Sequence, residues 1–349
     1  MNPTSTASPS PPRPDDQTFY GPRGRSAWLD VDWREHQRWV IVDGEPVNVI
    51  ELGSPEDPAH PEGSQPLVFV HGLSGSWPNW LEQLPVLAGL NGDARQRRVS
   101  TGFGLNGDAR QRRVSTGFCK RRVIAMDLPG FGHSPMPSWP ISISAYARML
   151  DRLLDVLEVD AAALVGNSMG GFISAELAIA YPQRVERLVL VSAAGISTYD
   201  NRGVMRALPV LRRAERTLTA YAAWTASKSD TVARRRRLRE ATMNVVTSHP
   251  SRLPAPLAAE QIRGSGKPGF MSALEANLTY DFRERLPEIA CPTLIVWGED
   301  DRLISSRDAR VFGELIPDSR VVIYEDTGHM SMLERPAAFN ALLEEFLDE

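Results

Sequence analysis

Residues 161–171, Ala-Ala-Ala-Leu-Val-Gly-Asn-Ser-Met-Gly-Gly, constrain this chain more than any other stretch. A small and apolar run, Ala161 to Val165, has the character of a buried strand. It breaks at Gly166-Asn167-Ser168-Met169-Gly170 and continues as a helix-like segment, Gly171 to Tyr181. Gly-x-Ser-x-Gly between a strand and a helix is the setting of a sharp turn that exposes the serine hydroxyl. Such a reversal holds the serine in a strained conformation, and a side chain at Gly166 or Gly170 would collide with neighbouring chain. The helix that starts there aims its free N–H groups and positive dipole end at any negative charge developing on the serine. The same five residues also occur by chance as a Gly-rich surface turn, so the rest of the chain must decide.

The 349 residues can bury a large core, as one large domain or two. A hydrophobic fraction of 42% beside 23% charged residues is that of a soluble globular protein, and a net charge of −4 gives no reason to expect nucleic acid as a partner. No apolar run approaches the roughly 18 residues that span a bilayer. Met1 to Asp16 is rich in Pro, Ser and Thr and has no apolar centre, so it is not read as a secretory signal, and a cytoplasmic location is expected. Cys119 and Cys291 make neither a disulfide framework nor a metal cluster. Cys291, before Pro292, is expected to be a small buried filler. No metal site and no cofactor are expected, and the sequence does not specify an oligomeric state.

Along the chain, residues 1–30 read as a Pro-rich disordered tail. Gln37 to Asp43 and Val47 to Leu52 alternate around Asp43-Gly44-Glu45-Pro46, a β-hairpin pattern. Leu67 to Val70 is a short buried strand, and Asn79 to Leu87 reads as a helix after Pro78. Gly89 to Phe103 is then repeated letter for letter as Gly104 to Phe118. Two polar, basic copies are too few for a stacked repeat, so 89–118 is expected to be a long surface insertion without regular structure. Its junction, Gly102-Phe-Gly104-Leu-Asn-Gly107, matches Gly-x-Gly-x-x-Gly only formally, because no strand precedes it and the repeat accounts for it. Further strands are expected at Arg122 to Asp127, Val185 to Val191, Thr293 to Trp297 and Arg320 to Tyr324. Helices are expected at Ile143 to Leu157, Ser305 to Leu315 and Pro336 to Leu347. Residues 195–286 differ, with Pro-broken helical segments and no convincing buried strand.

Alternating strands and helices predict an α/β fold with a mostly parallel sheet covered on both faces. Ligands in such sheets bind beyond the carboxyl ends of the strands, where this chain places His71-Gly72, Asp127, Ser168, Asp301 and His329. A serine hydroxyl becomes a strong nucleophile when a base takes its proton and an acid orients that base. Ser168, Asp301 and His329 supply these groups in chain order, with Asp300 as the alternative acid. His71 and His133 read as groups that stabilise their loops, as do Asp127 and Asp326, whereas His36, His60 and His249 read as surface residues. The backbone N–H groups of Leu73 and Met169 are candidate oxyanion donors. His71, Gly72, Gly166, Asn167 and Gly170 are expected to support the site.

Taken together, His71-Gly72, Asp127-Leu-Pro-Gly-Phe-Gly-His-Ser134, Gly166-Asn-Ser-Met-Gly-Gly171, Gly298-Glu-Asp-Asp301 and Gly328-His329 resemble the α/β-hydrolase superfamily. The resemblance runs from about Gln37 to the C-terminus and implies a core of 31–194 and 287–349 with the 89–118 duplication outside the common plan. It also implies that 195–286 is a helical cap supplying most of a small-molecule substrate pocket. A serine at position 168, rather than aspartate, is unlike the haloalkane dehalogenases and epoxide hydrolases. The motif is similar to that of capped esterases and lipases and of meta-cleavage-product C–C hydrolases, although the latter usually carry Trp after the histidine, where this chain has Met330. The leading expectation is a serine hydrolase acting on a carboxylic ester of a small or medium apolar substrate. The alternatives are a C–C hydrolase and a catalytically silent binding protein of the same fold.

Overall fold

A computed structural model describes residues 19–53, 65–90, 97–103, 109–114, 121–197 and 202–349. The alternating segments form an antiparallel hairpin, β1 (Gln37–Val42) and β2 (Glu45–Leu52). Its turn places Asp43 and Gly44 at φ 49° and 85°, as a two-residue turn matched to the strand twist requires. The short apolar runs become strands with every residue buried: β3 (Leu67–Val70), β6 (Val123–Met126), β7 (Ala162–Asn167) and β9 (Thr293–Gly298). With β8 (Val185–Val191) and β10 (Ser319–Tyr324) they make an eight-stranded sheet of order β1-β2-β6-β3-β7-β8-β9-β10. From β6 to β10 its strands run parallel, and β2 meets β6 antiparallel.

Helices cover both faces of the sheet. They are α1 (Leu84–Leu87), α2 (Ile143–Val156), α3 (Met169–Ala180), α9 (Arg307–Leu315), α10 (Ser331–Glu334) and α11 (Pro336–Asp348). The two-residue period of β3 divides the core. Val68 and Val70 pack toward α2 and α3, whereas Leu67 and Phe69 pack toward Trp80 and α11. Helix α2 starts where Ser142 Oγ accepts the Ala145 N–H at 3.1 Å, satisfying one of the donors that a helix start leaves free. Between β8 and β9 the chain leaves the sheet for α4 (Arg202–Ser227), α5 (Ser229–Arg234), α6 (Arg236–Met243), α7 (Ala255–Arg263) and α8 (Phe270–Thr279). Among the described residues this excursion holds no strand. No helix there or elsewhere among them is long and apolar enough to cross a membrane.

Three expectations change. The tail expected over residues 1–30 is held down over its final part: Trp28 is buried and donates its indole N–H to Glu82 at 2.9 Å, and Tyr20 donates its hydroxyl to Glu334 at 2.7 Å. Two aromatic anchors outweigh the composition of this part, and residues 1–18 of the expected tail lie outside the described residues. The insertion is not a structureless loop, because β4 (Arg97–Phe103) pairs antiparallel with β5 (Ala109–Val114), the first copy against the second. Each copy is polar and basic, so neither strand shows the apolar alternation from which a strand is read. The helix expected over 79–87 is broken into a 3₁₀ turn, Trp77–Trp80, and the single turn α1. Pro85 has no N–H to close the bond back to Leu81.

Candidate active site

Ser168 sits between β7 and α3 at φ 55° and ψ −119°, a conformation foreign to a residue with a side chain and costing about 1–3 kcal/mol. The surrounding hydrogen bonds over-determine it. The Ser168 N–H donates to Val191 at 2.9 Å, and the Ser168 carbonyl accepts from Phe172 and Ala194 at 3.1 and 3.0 Å. The two elbow glycines are obligatory on space alone. A Cβ on Gly166 would lie 2.4 Å from the Gly170 carbonyl oxygen, and one on Gly170 would lie 2.1 Å from that of Val70. Asn167 is buried and donates to the Val191 carbonyl at 3.1 Å and to the His329 carbonyl at 3.5 Å. The elbow is thereby tied to the loop that carries the histidine.

His329 follows β10, and its Nδ1 lies 2.7 Å from Asp301 Oδ2, with both side chains almost wholly buried. The other Asp301 oxygen accepts the backbone N–H groups of Leu303 and Ile304 at 2.9 and 3.0 Å. Asp300 points elsewhere: it is exposed, and its backbone N–H donates to the Thr327 carbonyl at 2.9 Å. Between the two acids weighed from sequence, the geometry brings only Asp301 to the histidine. Ser168, His329, Asn167, Gly72 and Leu73 all line one cavity of about 450 Å³. Met169 is buried at the first position of α3, where its N–H has no acceptor within the helix.

The loops after β3 and β6 lock together around two buried groups. Leu128 donates its N–H to His71 Nε2 at 2.9 Å, which leaves the proton on Nδ1, 2.8 Å from the Gly72 carbonyl. Burial holds His71 below the ordinary histidine value, outweighing the Asp127 charge and the Gly72 carbonyl. Asp127 accepts from the N–H of Trp77, the N–H of His133 and the Asn48 amide, each at 2.8 Å. Burial pushes Asp127 up, yet the bonds from His133 and the neighbouring His71 outweigh it and leave the carboxyl below its usual value. This network sets Gly72 against the elbow: a Cβ on Gly72 would be 2.9 Å from Ser168 Cβ and 3.1 Å from the Asn167 carbonyl oxygen.

Sequence reasoning missed what stands behind His329. Glu334 is buried and accepts the Gly328 N–H at 3.0 Å, the Ser248 N–H at 2.9 Å and the Tyr20 hydroxyl at 2.7 Å. One carboxylate thus ties the histidine loop to the helical excursion and to the N-terminal segment. His249, read from sequence as a surface residue, is half-buried and bonded to Asp326, and its N–H donates to Tyr20 Oη at 3.0 Å. Asp326 also faces Arg252 and Arg335, in keeping with a loop-fixing role. No local motif marked Tyr20, which lies 314 positions from Glu334. His60 and Cys119 lie outside the described residues. Cys291 is half-buried against the core, and burial lifts its thiol to about 11.

A parallel sheet with this elbow, and with an acid–histidine pair at the same strand edge, defines a hydrolase of the α/β type. The family profile for the α/β hydrolase fold matches residues 65–336, and the chain belongs to that family. The dihydrolipoyllysine-residue acetyltransferase component of the acetoin cleaving system of Cupriavidus necator is 29% identical over 288 residues, 82% of this chain. The match spans 64% of that longer protein. The 2-hydroxy-6-oxo-2,4-heptadienoate hydrolase of Pseudomonas putida is 29% identical over 317 residues, 89% of this chain and 95% of that one. The crystal structure of the enol-lactonase from Burkholderia xenovorans LB400 is similar in fold, with a TM-score of 0.64 at 23% identity over 89% of this chain and 100% of that chain.

Proposed function

We propose that the protein is a serine hydrolase that cleaves carboxylic esters of small or medium apolar substrates. Ser168 Oγ attacks the acyl carbon while His329 Nε2 takes the hydroxyl proton, Nδ1 being held by Asp301. The N–H groups of Leu73 and Met169 stabilise the oxyanion, each donor contributing a few kcal/mol in the transition state. His329 returns the proton to the departing alkoxide. Water then attacks the acyl-enzyme with the same base and releases the acid and Ser168. The helices and connecting turns between β8 and β9 act as a cap, contributing Val204, Met243, Val246, Ile262, Phe270 and Leu274 to the cavity wall.

The observation that carries the choice of ester is the chemistry of that wall. Apart from His329, no titratable residue is among the described residues that line it. A volume of about 450 Å³ suits a substrate of this size. A second reading, C–C hydrolysis, is favoured by the similarity to the heptadienoate hydrolase. A dienoate carries a carboxylate, whose desolvation without a cation costs several kcal/mol, and no Lys or Arg is among the described residues that line the cavity.

Replacing Ser168 with Ala is expected to abolish turnover of a short 4-nitrophenyl ester, and a fluorophosphonate is expected to label the wild type at Ser168. Retained turnover in the variant sinks the nucleophile. Faster turnover of a meta-cleavage dienoate than of any ester would replace the first reading by the second.

A further inference from the structure

Helix α4 has two apolar faces. The inner one carries Val204, Leu208 and Leu211 at i, i+4 and i+7; Val204 lines the cavity and Leu208 is buried. On the other side Val210, Ala214, Thr217, Tyr221 and Trp224 recur at i, i+4, i+7, i+11 and i+14, with Leu218 beside them. This outer stripe faces water: Val210 is 67% exposed, Leu218 46%, Tyr221 68% and Trp224 59%. The Tyr221 and Trp224 rings stack with centroids 6.1 Å apart, so two large aromatic side chains stand together in solvent. Single exposed apolar residues are ordinary, whereas a continuous stripe of about four helical turns with paired aromatics marks a contact surface.

Charge identifies what that surface meets. Arg206, Arg213 and Arg216, at i, i+7 and i+10, are exposed along one edge of the stripe. Glu215, the one acidic residue of the helix, is partly buried on the inner face, one turn beyond Leu211. Residues 202–279 carry fourteen Lys and Arg against five Asp and Glu, a net +9 in a chain of net −4. An anionic surface therefore attracts this side of the molecule and repels the rest. A second copy of the chain would bring the same arginines edge to edge in an isologous contact. A polynucleotide would neutralise the arginines and leave Val210 and Leu218 in water. A bilayer boundary accommodates every part: aliphatic side chains among the acyl chains, Tyr and Trp at headgroup depth, guanidinium groups on phosphate.

From this we infer that the outer face of α4 is a docking surface for an anionic lipid membrane, with the helix lying in the plane of the interface. Through Val204 the docked helix is itself part of the cavity wall. The inference goes beyond the ester reading and does not depend on it, because it concerns where the chain binds and not what Ser168 does.

The test is co-sedimentation of the full chain, at low salt, with vesicles of phosphatidylcholine alone and of phosphatidylcholine mixed equally with phosphatidylglycerol. The wild type is expected to partition onto the mixed vesicles at least about tenfold more strongly. The triple variant Arg206→Gln, Arg213→Gln, Arg216→Gln is expected to lower that partitioning about 100-fold, each arginine being worth about fivefold at an anionic surface. The double variant Tyr221→Ser, Trp224→Ser is expected to lower it at least about tenfold through lost apolar burial. All five residues are exposed and none lines the cavity, so Tm is expected to stay as in the wild type. Absence of wild-type binding, equal partitioning onto both vesicles, or binding that either variant retains overturns the inference. Loss in the arginine variant alone assigns the surface to a polyanion such as a nucleic acid instead of a bilayer. Sedimentation velocity without lipid supplies the remaining outcome: a wild-type dimer that the double variant dissociates gives the stripe to a second copy and also overturns the inference.

Discussion

His329 Nδ1 lies 2.7 Å from the Oδ2 atom of Asp301, and the second oxygen of that carboxylate is held by two backbone N–H groups. The acid is thus fixed before it meets the imidazole, which fixes the tautomer that leaves Nε2 able to accept a proton. Asp301→Asn is expected to lower kcat by up to about 10⁴-fold, because an amide N–H facing Nδ1 selects the wrong tautomer. Asp300→Asn, exposed and one residue away, is expected to stay within about threefold, since surface substitutions perturb little. Steady-state kinetics on one ester checks both, and a larger loss at Asp300 would exchange their roles.

Gly72→Ala puts a methyl group 2.9 Å from Ser168 Cβ. The clash falls on Ser168, the proposed nucleophile, and on Asn167 at the end of β7. A fall in kcat of about 10²-fold with an unchanged far-UV circular dichroism spectrum is expected, the size of effect that a displacement of about 1 Å brings at a reacting group.

Tyr20 joins the N-terminal segment to the carboxylate behind the histidine loop. Burial, then the adjacent Glu334 carboxylate, holds the phenol far above its ordinary value, so it donates at any physiological pH. Burial also raises the Glu334 carboxyl, against the donors around it. Tyr20→Phe removes one of those donors from a buried acid and is expected to lower unfolding stability by about 1–3 kcal/mol. Urea unfolding measures it. A change under 0.5 kcal/mol would mean that the N-terminal segment is not docked in solution.

His71 supplies a pH dependence of known sign. Its value in the folded state is depressed below the unfolded histidine value of about 6.5, so the unfolded chain binds the proton first as pH falls. The stability contributed by neutral His71 is fully present above about pH 6.5 and is lost as pH drops toward the folded value. His133, raised by its bond to Asp127, contributes with the opposite sign and is present in wild type and variant alike. His71→Gln is expected to show a smaller fall in Tm between pH 7 and pH 5 than the wild type does. An equal fall would show that His71 does not carry this dependence.

The chain's own order of residues determined the architecture. Short apolar runs that alternate with amphipathic helices can bury themselves only as a parallel sheet between helical layers. The strained turn at Ser168 tolerates little but glycine at 166 and 170. Polar residues placed after strands were legible as a shared edge for the same reason, since parallel strands deliver their ends to one side. Tertiary structure decided what depends on contacts across hundreds of residues. It brought Asp301 rather than its neighbour Asp300 to the histidine, because a two-residue turn sends one carboxylate inward and the other to water. It packed Tyr20 against Glu334, which composition could not foretell because the aromatics Phe19, Tyr20 and Trp28 have no helical or strand periodicity. It also turned Asn277 inward on a helix whose other cavity-facing residues are apolar. The Asn277 amide donates to the Ala273 carbonyl one turn back, a contact that exists only once the helix has formed.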